Sequence, residues 1–193
     1  MEMVTPQDVM RTNPQVLARQ NATRHHTVEE QKSDGVHYTP GHLAEFVATQ
    51  IVDRIPLEMN RLSVCDPATG DGELLVALLR ALAIRGVHDI DVYGFELSAA
   101  SLATAEGRIQ TGFPQAALHL SQSDFLQFVL DSQSGTLFET DSPRFDVVIA
   151  NPPYVRTQVM GATQAQELAK QFGLSGRVDL YHAFLLGIGR VLK

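Results

Sequence analysis

The chain of 193 residues has no tryptophan and a single cysteine, Cys65. One cysteine excludes an internal disulfide, and no group of His and Cys residues has metal-ligand spacing, so we predict no metal site. No apolar run approaches the length of a membrane span, and the polar first thirty residues do not resemble a secretion signal. These absences predict a cytoplasmic protein with no membrane contact, in which Cys65 is part of a core strand.

Positive charge is also scarce, since 15 Lys and Arg face 22 Asp and Glu. A net charge of −7 argues against a nucleic-acid-binding protein when the chain is taken as a whole. The distribution is uneven, because residues 151–193 carry five basic and two acidic side chains. This last segment could face phosphates, or it could be an ordinary solvated surface.

Short apolar segments alternate with helical patterns after a polar arm of residues 1–36, which has room for one helix. Strands are predicted at residues 62–66, 90–96, 116–120 and 145–150, and helices at 41–55, 73–85, 98–110, 124–130, 163–172 and 179–192. Such alternation is typical of βαβ units wound into a parallel sheet. We therefore predict an α/β fold for one domain that spans residues 37–193.

Four polar residues stand at the carboxyl ends of the predicted strands: Asp66, Glu96, Asp124 and Asn151. Ligands of open parallel sheets bind beyond these ends. Glu96 is placed to accept hydrogen bonds from two ribose hydroxyls, and Asp124 from a purine amino group, with Phe125 as an apolar wall. Each acid could instead cap a helix.

The loop Asp66–Gly72 joins the first strand to a helix, and its glycines allow close approach of a ligand. A pyrophosphate would be repelled by Asp66, Asp71 and Glu73, and the third glycine of the dinucleotide fingerprint is missing. A cationic or zwitterionic ligand that carries a ribose fits this loop better.

Asn151-Pro152-Pro153-Tyr154 follows the fourth strand directly. Two consecutive prolines fix the backbone and remove two amide donors, which leaves a stiff turn rich in carbonyl groups. The Asn151 side-chain oxygen and the Pro152 carbonyl can accept the two hydrogens of an exocyclic amine, while Tyr154 stacks on the ring that bears it.

These motifs, in this order, resemble those of the S-adenosylmethionine-dependent DNA adenine-N6 methyltransferases with the gamma arrangement, in which cofactor motifs precede Asn-Pro-Pro-Tyr. The segments that carry the resemblance are 32–40 with Tyr-Thr-Pro, 66–72, 94–98, 123–126, 146–154 and 176–184. The resemblance implies a Rossmann-like class I methyltransferase sheet with strand order 3-2-1-4. It also implies a prokaryotic enzyme of a restriction-modification or similar system, whose substrate is double-stranded DNA with the target adenine flipped out.

The resemblance further implies the roles of individual residues. The catalytic residues would be Asn151, Pro152, Pro153 and Tyr154. The cofactor contacts would come from Tyr38, Thr39, Pro40, Asp66, Pro67, Ala68, Gly70, Gly72, Glu96, Leu97, Asp124, Phe125 and Asn151. The reaction implied is a direct displacement on the sulfonium methyl group, which needs no covalent enzyme intermediate.

The family has seven strands and a target-recognition domain, whereas four strands can be identified here. We therefore expect an incomplete catalytic domain, either a fragment or a short subunit, with self-association or a partner chain at the edge of the fourth strand. Other functions stay open at this point. They are methylation of protein glutamine or RNA guanine, and a cofactor-binding or assembly module without activity of its own; a nicotinamide-dependent dehydrogenase fits poorly.

Overall fold

The computed structural model of the protein describes residues 39–133, 143–153, 162–174 and 180–193. Its strands are β1 (Arg61–Asp66), β2 (Asp89–Phe95), β3 (Ala117–Ser121) and β4 (Val147–Val148). Its helices are α1 (Gly41–Val52), α2 (Glu73–Ile84), α3 (Ala99–Gly112), α4 (Phe125–Gln133), α5 (Ala162–Gln171) and α6 (Leu180–Val191). The predicted arm of residues 1–36 lies outside the described residues.

The four strands form one parallel sheet in the order β3-β2-β1-β4. This confirms the predicted fold class and strand order. Because the strands are parallel, their carboxyl ends lie along the same edge of the sheet. Val64 pairs with Val92 on one side and with Val147 on the other, so β1 lies between β2 and β4.

Apolar side chains fill both faces of the sheet. On one face, α1 and α2 cover Leu62 and Val64 of β1, and Ala44 and Ala48 of α1 are completely buried against α2. On the other face, α4 and α6 cover a second cluster that includes Cys65. Burial raises the pKa of the Cys65 thiol well above its usual value, as expected for a cysteine of the core.

The fourth strand is shorter than the predicted span 145–150. Only Val147 and Val148 are paired with β1, and just before them the carboxylate of Asp146 accepts the Ser63 N–H at 2.8 Å in place of a backbone carbonyl. Phe145 pairs instead with Leu192, just after α6. The helix after β3 is longer than predicted, since it continues through Gln133.

In the described part of the chain, no helix is long and apolar enough to cross a membrane.

Candidate active site

The carboxyl ends of the strands are joined by backbone hydrogen bonds that extend beyond the ladders. Thr69 N–H donates to the Phe95 carbonyl at 2.9 Å, and Glu96 N–H donates to the Ser121 carbonyl at 3.1 Å. Ile149 N–H donates to the Cys65 carbonyl at 3.0 Å. These bonds hold the segments after β1, β2 and β4 side by side. Asp66, Glu96 and Asn151 therefore stand at one edge of the sheet, as the sequence predicts.

The loop Asp66–Gly72 is a compact turn in which two glycines have positive φ. Gly70 has φ of 54° and Gly72 has φ of 82°, both in the left-handed region that favours glycine. A Cβ on Gly72 would also stand 2.9 Å from the Ala105 Cβ of α3. The loop thus depends on glycine at Gly72 both for its backbone conformation and for its packing on α3.

Asp66 is the buried acid of the site. Its side chain is fully buried, Oδ1 accepts the Ala68 N–H at 3.0 Å, and Oδ2 has no hydrogen-bond partner among the described residues. Burial raises the pKa of Asp66 to about 7; the Ala68 hydrogen bond opposes this rise and the negative charge of Glu96 adds to it. An unpartnered buried carboxylate oxygen is costly, so this atom indicates a ligand that donates a hydrogen bond or a positive charge.

Glu96 connects the loops that follow β1 and β2. One of its carboxylate oxygens accepts the Gly70 N–H and the other accepts the Ser98 N–H, both at 2.8 Å. Each oxygen can accept a further hydrogen bond. Glu96 is therefore both a support for the glycine loop and an acceptor at the edge of the crevice.

Arg108 of α3 is a part of the site that sequence reasoning missed. Its guanidinium contacts Asp71 Oδ2 at 3.1 Å and Glu73 Oε2 at 2.5 Å, and it also donates to the Asp71 carbonyl at 2.8 Å. Two of the three acids expected to repel a phosphate, Asp71 and Glu73, are therefore compensated by a cation. Arg108 is 37 positions from Asp71 and 35 from Glu73, and no local sequence pattern identifies partners so far apart.

Asp124 and Phe125 differ in their positions. Asp124 is exposed, and its Oδ1 accepts the Leu126 N–H at 2.8 Å at the start of α4, which is the helix-capping alternative. Phe125 is only 1% exposed and packs against Phe95 and Phe184 in the core. The structure therefore does not bring the Phe125 ring into the crevice.

The Asn-Pro-Pro turn leaves β4 beside the start of α1. Asn151 Nδ2 donates to Thr39 Oγ1 at 3.1 Å, so residues 112 positions apart in the sequence are in direct contact. Pro152 is buried and Asn151 is partly exposed. Both line an open groove of about 350 Å³, together with residues of β4, α1 and α6.

The remaining predicted residues fall into three groups. Within the loop Asp66–Gly72, Pro67 is buried and Ala68 packs on the second apolar cluster. Leu97 is 68% exposed and Pro40 is exposed. Tyr38 and Tyr154 lie outside the described residues, so their predicted contacts stay predictions.

Comparison with known proteins identifies relatives of this chain. The model of the N-6 DNA methylase family matches residues 5–190. The Type II methyltransferase M.BanIII of Aneurinibacillus aneurinilyticus is 39% identical over 179 residues, which are 86% of this chain and 30% of that protein. A tRNA1(Val) (adenine(37)-N6)-methyltransferase of Pasteurella multocida is 28% identical over 116 residues, 60% of this chain and 44% of that protein.

Among solved structures, a class I S-adenosylmethionine-dependent methyltransferase from Listeria monocytogenes is similar to this chain, with a TM-score of 0.61 and 19% identity. The match covers 92% of this chain and 48% of that chain. That structure shares the fold. The chain spans less than half the length of the two curated relatives. On the match over residues 5–190, which covers nearly the whole chain, this protein belongs to the N-6 DNA methylase family.

Proposed function

We propose that the protein transfers a methyl group from S-adenosylmethionine to the N6 amino group of adenine in DNA, as part of a restriction-modification or similar system. The observation that carries the proposal is the position of Asn151-Pro152 at the same sheet edge as Asp66 and Glu96. An amine-binding turn and a site for a cationic ribonucleoside would then lie at the same edge of the sheet. Membership in the family supports this assignment.

S-adenosylmethionine is the cofactor of this family, and the residues of the crevice fit it. Asp66 Oδ2, buried and without a partner among the described residues, is suited to an ammonium group. Glu96 has acceptor capacity left for ribose hydroxyls after binding Gly70 and Ser98. When bound, the cofactor supplies an electrophilic methyl group.

The role of Asn151 and Pro152 is to bind and orient the amine. The Asn151 side-chain oxygen and the Pro152 carbonyl accept its two hydrogens, which directs the nitrogen lone pair toward the methyl group. Both residues are held by proline-restricted backbone, so little conformational freedom is lost when the substrate binds. Positioning of this kind is the main source of acceleration in a direct displacement. Tyr154 is proposed to stack on the base.

A second acceptor, adenine in RNA, is favoured by the resemblance to the Pasteurella protein, whose name describes a tRNA adenine-N6 methyltransferase. The same turn accepts any exocyclic amine, so the acceptor is not fixed by Asn151 alone. Protein glutamine and RNA guanine carry such an amine too, and a cofactor-binding module would transfer to none of these acceptors. An assay with each acceptor separates these functions.

Replacement of Asn151 by alanine tests the proposal. We expect Asn151→Ala to lower methyl transfer to duplex DNA by at least about a hundredfold, because the amine is no longer oriented. The affinity for S-adenosylmethionine, measured by calorimetry, should change little. The assay follows tritiated methyl groups into duplex DNA, tRNA and a glutamine-containing protein.

The matched control is Gln122, a second side-chain amide near the carboxyl ends of the strands. Its side chain is exposed, and the amide donates a hydrogen bond to the Leu97 carbonyl at 3.2 Å. Gln122→Ala should transfer methyl groups like the wild type. An Asn151→Ala variant with wild-type transfer would refute the role of Asn151. Transfer by the wild type to tRNA but not to duplex DNA would show that the acceptor is RNA.

The setting of the protein follows from the same proposal. A DNA adenine methylase of this type acts on prokaryotic DNA in the cytoplasm. Residues 37–193 are proposed as its cofactor-binding catalytic domain, with target recognition contributed by another domain or a partner subunit.

A further inference from the structure

The second half of the loop Asp66–Gly72 contacts the segment from β2 to α3 at each of its last four residues. The first two contacts are hydrogen bonds from the loop backbone. The Thr69 N–H donates to the Phe95 carbonyl at 2.9 Å, and the Gly70 N–H donates to a carboxylate oxygen of Glu96 at 2.8 Å. The loop joins β1 to α2, but its shape depends on β2 and α3 as well.

The last two contacts come from α3. Arg108 donates to the Asp71 carbonyl at 2.8 Å, and its guanidinium lies 3.1 Å from Asp71 Oδ2. It also contacts, at 2.5 Å, Oε2 of Glu73, which is the first residue of α2. Between these two acids, Gly72 packs so closely on Ala105 that a Cβ on Gly72 would stand 2.9 Å from the Ala105 Cβ. Arg108 therefore holds both the end of the loop and the start of the next helix.

These ionic contacts are shielded from water. The side chains of Arg108, Asp71 and Glu73 are 21%, 15% and 13% exposed. Salt and water screen partly buried charges less than charges on the surface. Removal of a cation from such a site costs more than removal of one partner of an exposed ion pair. A change at Arg108 should therefore alter the loop that it contacts.

The buried acid of the site depends on the shape of this loop. Asp66 Oδ1 accepts the Ala68 N–H at 3.0 Å, and the Asp66 backbone carbonyl accepts the Thr69 hydroxyl at 3.1 Å. A shift of the loop would break these bonds and turn the carboxylate. Glu96 is less dependent, because its carboxylate also accepts the Ser98 N–H at 2.8 Å, outside the loop.

We propose that Arg108 is a positioning residue that holds the loop Asp66–Gly72 in the shape that binds the amino-acid group of the cofactor, whereas Glu96 binds the ribose without its help. This inference rests on the proposed function and deepens it, since it assigns part of the cofactor affinity to a residue that acts through the loop. Loss of Arg108 should then weaken one half of the cofactor site and spare the other.

Two ligands separate these halves. S-adenosylhomocysteine carries the nucleoside and the amino-acid group, and methylthioadenosine carries the nucleoside alone. We expect Arg108→Met to lower the affinity of the 193-residue chain for S-adenosylhomocysteine at least about tenfold, the size of a lost hydrogen bond between charged groups. Its affinity for methylthioadenosine should stay within about twofold of the wild type, because Glu96 keeps its bond to Ser98. Calorimetry measures both affinities.

The matched control is Arg85→Met, since Arg85 is also a partly buried arginine that joins two elements. It follows α2 at the end opposite to the loop, and its guanidinium donates to the backbone carbonyls of Val52 and Ile55. Arg85→Met should bind both ligands within about twofold of the wild type. Equal losses for the two ligands in Arg108→Met, or no loss for either, overturn the inference. So does an Arg85→Met variant with the same selective loss.

Arg108→Lys keeps the test decisive if Arg108→Met does not fold. Lysine retains the charge but cannot contact two carboxylates and a carbonyl with one planar group. We expect Arg108→Lys to lose about threefold in affinity for S-adenosylhomocysteine and to bind methylthioadenosine like the wild type. Wild-type affinity of Arg108→Lys for both ligands, beside an unfolded Arg108→Met, would mean that Arg108 serves the fold alone and would overturn the inference.

Methyl transfer separates this inference from the proposed function. With saturating S-adenosylmethionine, Arg108→Met should methylate duplex DNA within about twofold of the wild-type rate, because the residues that bind the amine are unchanged. The expected pattern of ligand affinities in a protein that methylates no DNA would retain the role of Arg108 and remove the function. An active protein in which Arg108→Met weakens both ligands equally would retain the function and remove the role.

Discussion

Asp66 gives the site a dependence on pH. Burial is the main cause that raises its pKa from 3.8 to about 7. Because the folded-state pKa lies above the unfolded value, the folded protein holds the extra proton between these two values. Raising the pH through this window therefore lowers the free energy of unfolding of the ligand-free protein, and this effect ends above about pH 7.

Binding of an ammonium-bearing cofactor beside Asp66 favours the ionised carboxylate. We therefore expect the affinity for S-adenosylmethionine to increase between about pH 5 and 7, by up to about tenfold per pH unit, and to level off above that range. Calorimetry in two buffers with different ionisation enthalpies measures how many protons are released when the cofactor binds. Asp66→Asn removes this titrating carboxyl, so an Asp66→Asn variant whose affinity changes with pH as steeply as that of the wild type would show that Asp66 is not the cause.

At the scale of single residues, the sequence predicted which residues stand at the strand ends better than what their side chains contact. Asp66, Glu96 and Asn151 were found because strand ends can be located from apolar patterns. The bond from Gly70 to Glu96 and the bond from Asn151 to Thr39 join residues 26 and 112 positions apart. Such pairs depend on how the helices pack on the sheet, which local sequence patterns do not predict.

Gly72 shows how one element of structure constrains another. Its φ of 82° strains any other residue, and a Cβ there would meet the Ala105 Cβ at 2.9 Å and Cα at 3.1 Å. We expect Gly72→Ala to lower the free energy of unfolding by about 2–4 kcal/mol, from about 1–2 kcal/mol of left-handed strain and a similar cost of overpacking. Urea titration measures this loss.

Gly86 offers a matched control, since its φ is 86° and a Cβ there would have no atom within 4 Å. Gly86→Ala should show the backbone strain alone, about 1–2 kcal/mol. The difference between the two variants then reports the contact of the loop with α3. Equal losses would mean that α3 moves aside at no cost and does not hold the loop.

Between elements, the predicted boundaries failed where a side chain replaces the backbone as a hydrogen-bond partner. At β4, Asp146 Oδ2 accepts the Ser63 N–H and hydroxyl, both at 2.8 Å, and Lys193 Nζ at 2.9 Å. The segment 145–150, apolar except for Asp146, predicts one strand, but the ladder has only two residues, and the side-chain bond of Asp146 lies just before it. At α3, Ser98 caps the helix as predicted by accepting the Ser101 N–H at 3.3 Å.

At the scale of the whole molecule, the order of strands was predictable because the motifs that end them occur in a recognisable succession. The position of β4 at the edge of the described sheet followed from that order. The alternation of Val147 and Ile149 on one face with Val148 on the other is also as predicted. What the pattern did not show is that helices on both sides leave apolar residues beside this edge. They are Val47, Ile51, Tyr181, Leu185 and Ile188.

This apolar strip supports the prediction that the protein associates with itself or with a partner chain. Leu185, in the middle of α6, is 48% exposed and lines the groove next to β4. Exposed sheet edges with apolar flanks are typical sites of association. We expect the isolated 193-residue chain to self-associate at micromolar concentration, and Leu185→Glu to shift it toward the monomer by at least about tenfold in dissociation constant.

Sedimentation equilibrium measures this shift, and Leu57→Glu is the control for added charge. Leu57 is 86% exposed and lines a separate groove near Arg85, so the same substitution there should leave the association constant within about twofold of the wild type. Both variants should unfold at nearly the wild-type urea concentration, because neither side chain belongs to the buried core. Equal dissociation of the two variants would mean that net charge, rather than the strip beside β4, controls association. A wild-type chain that stays monomeric would show that this edge does not drive self-association at all.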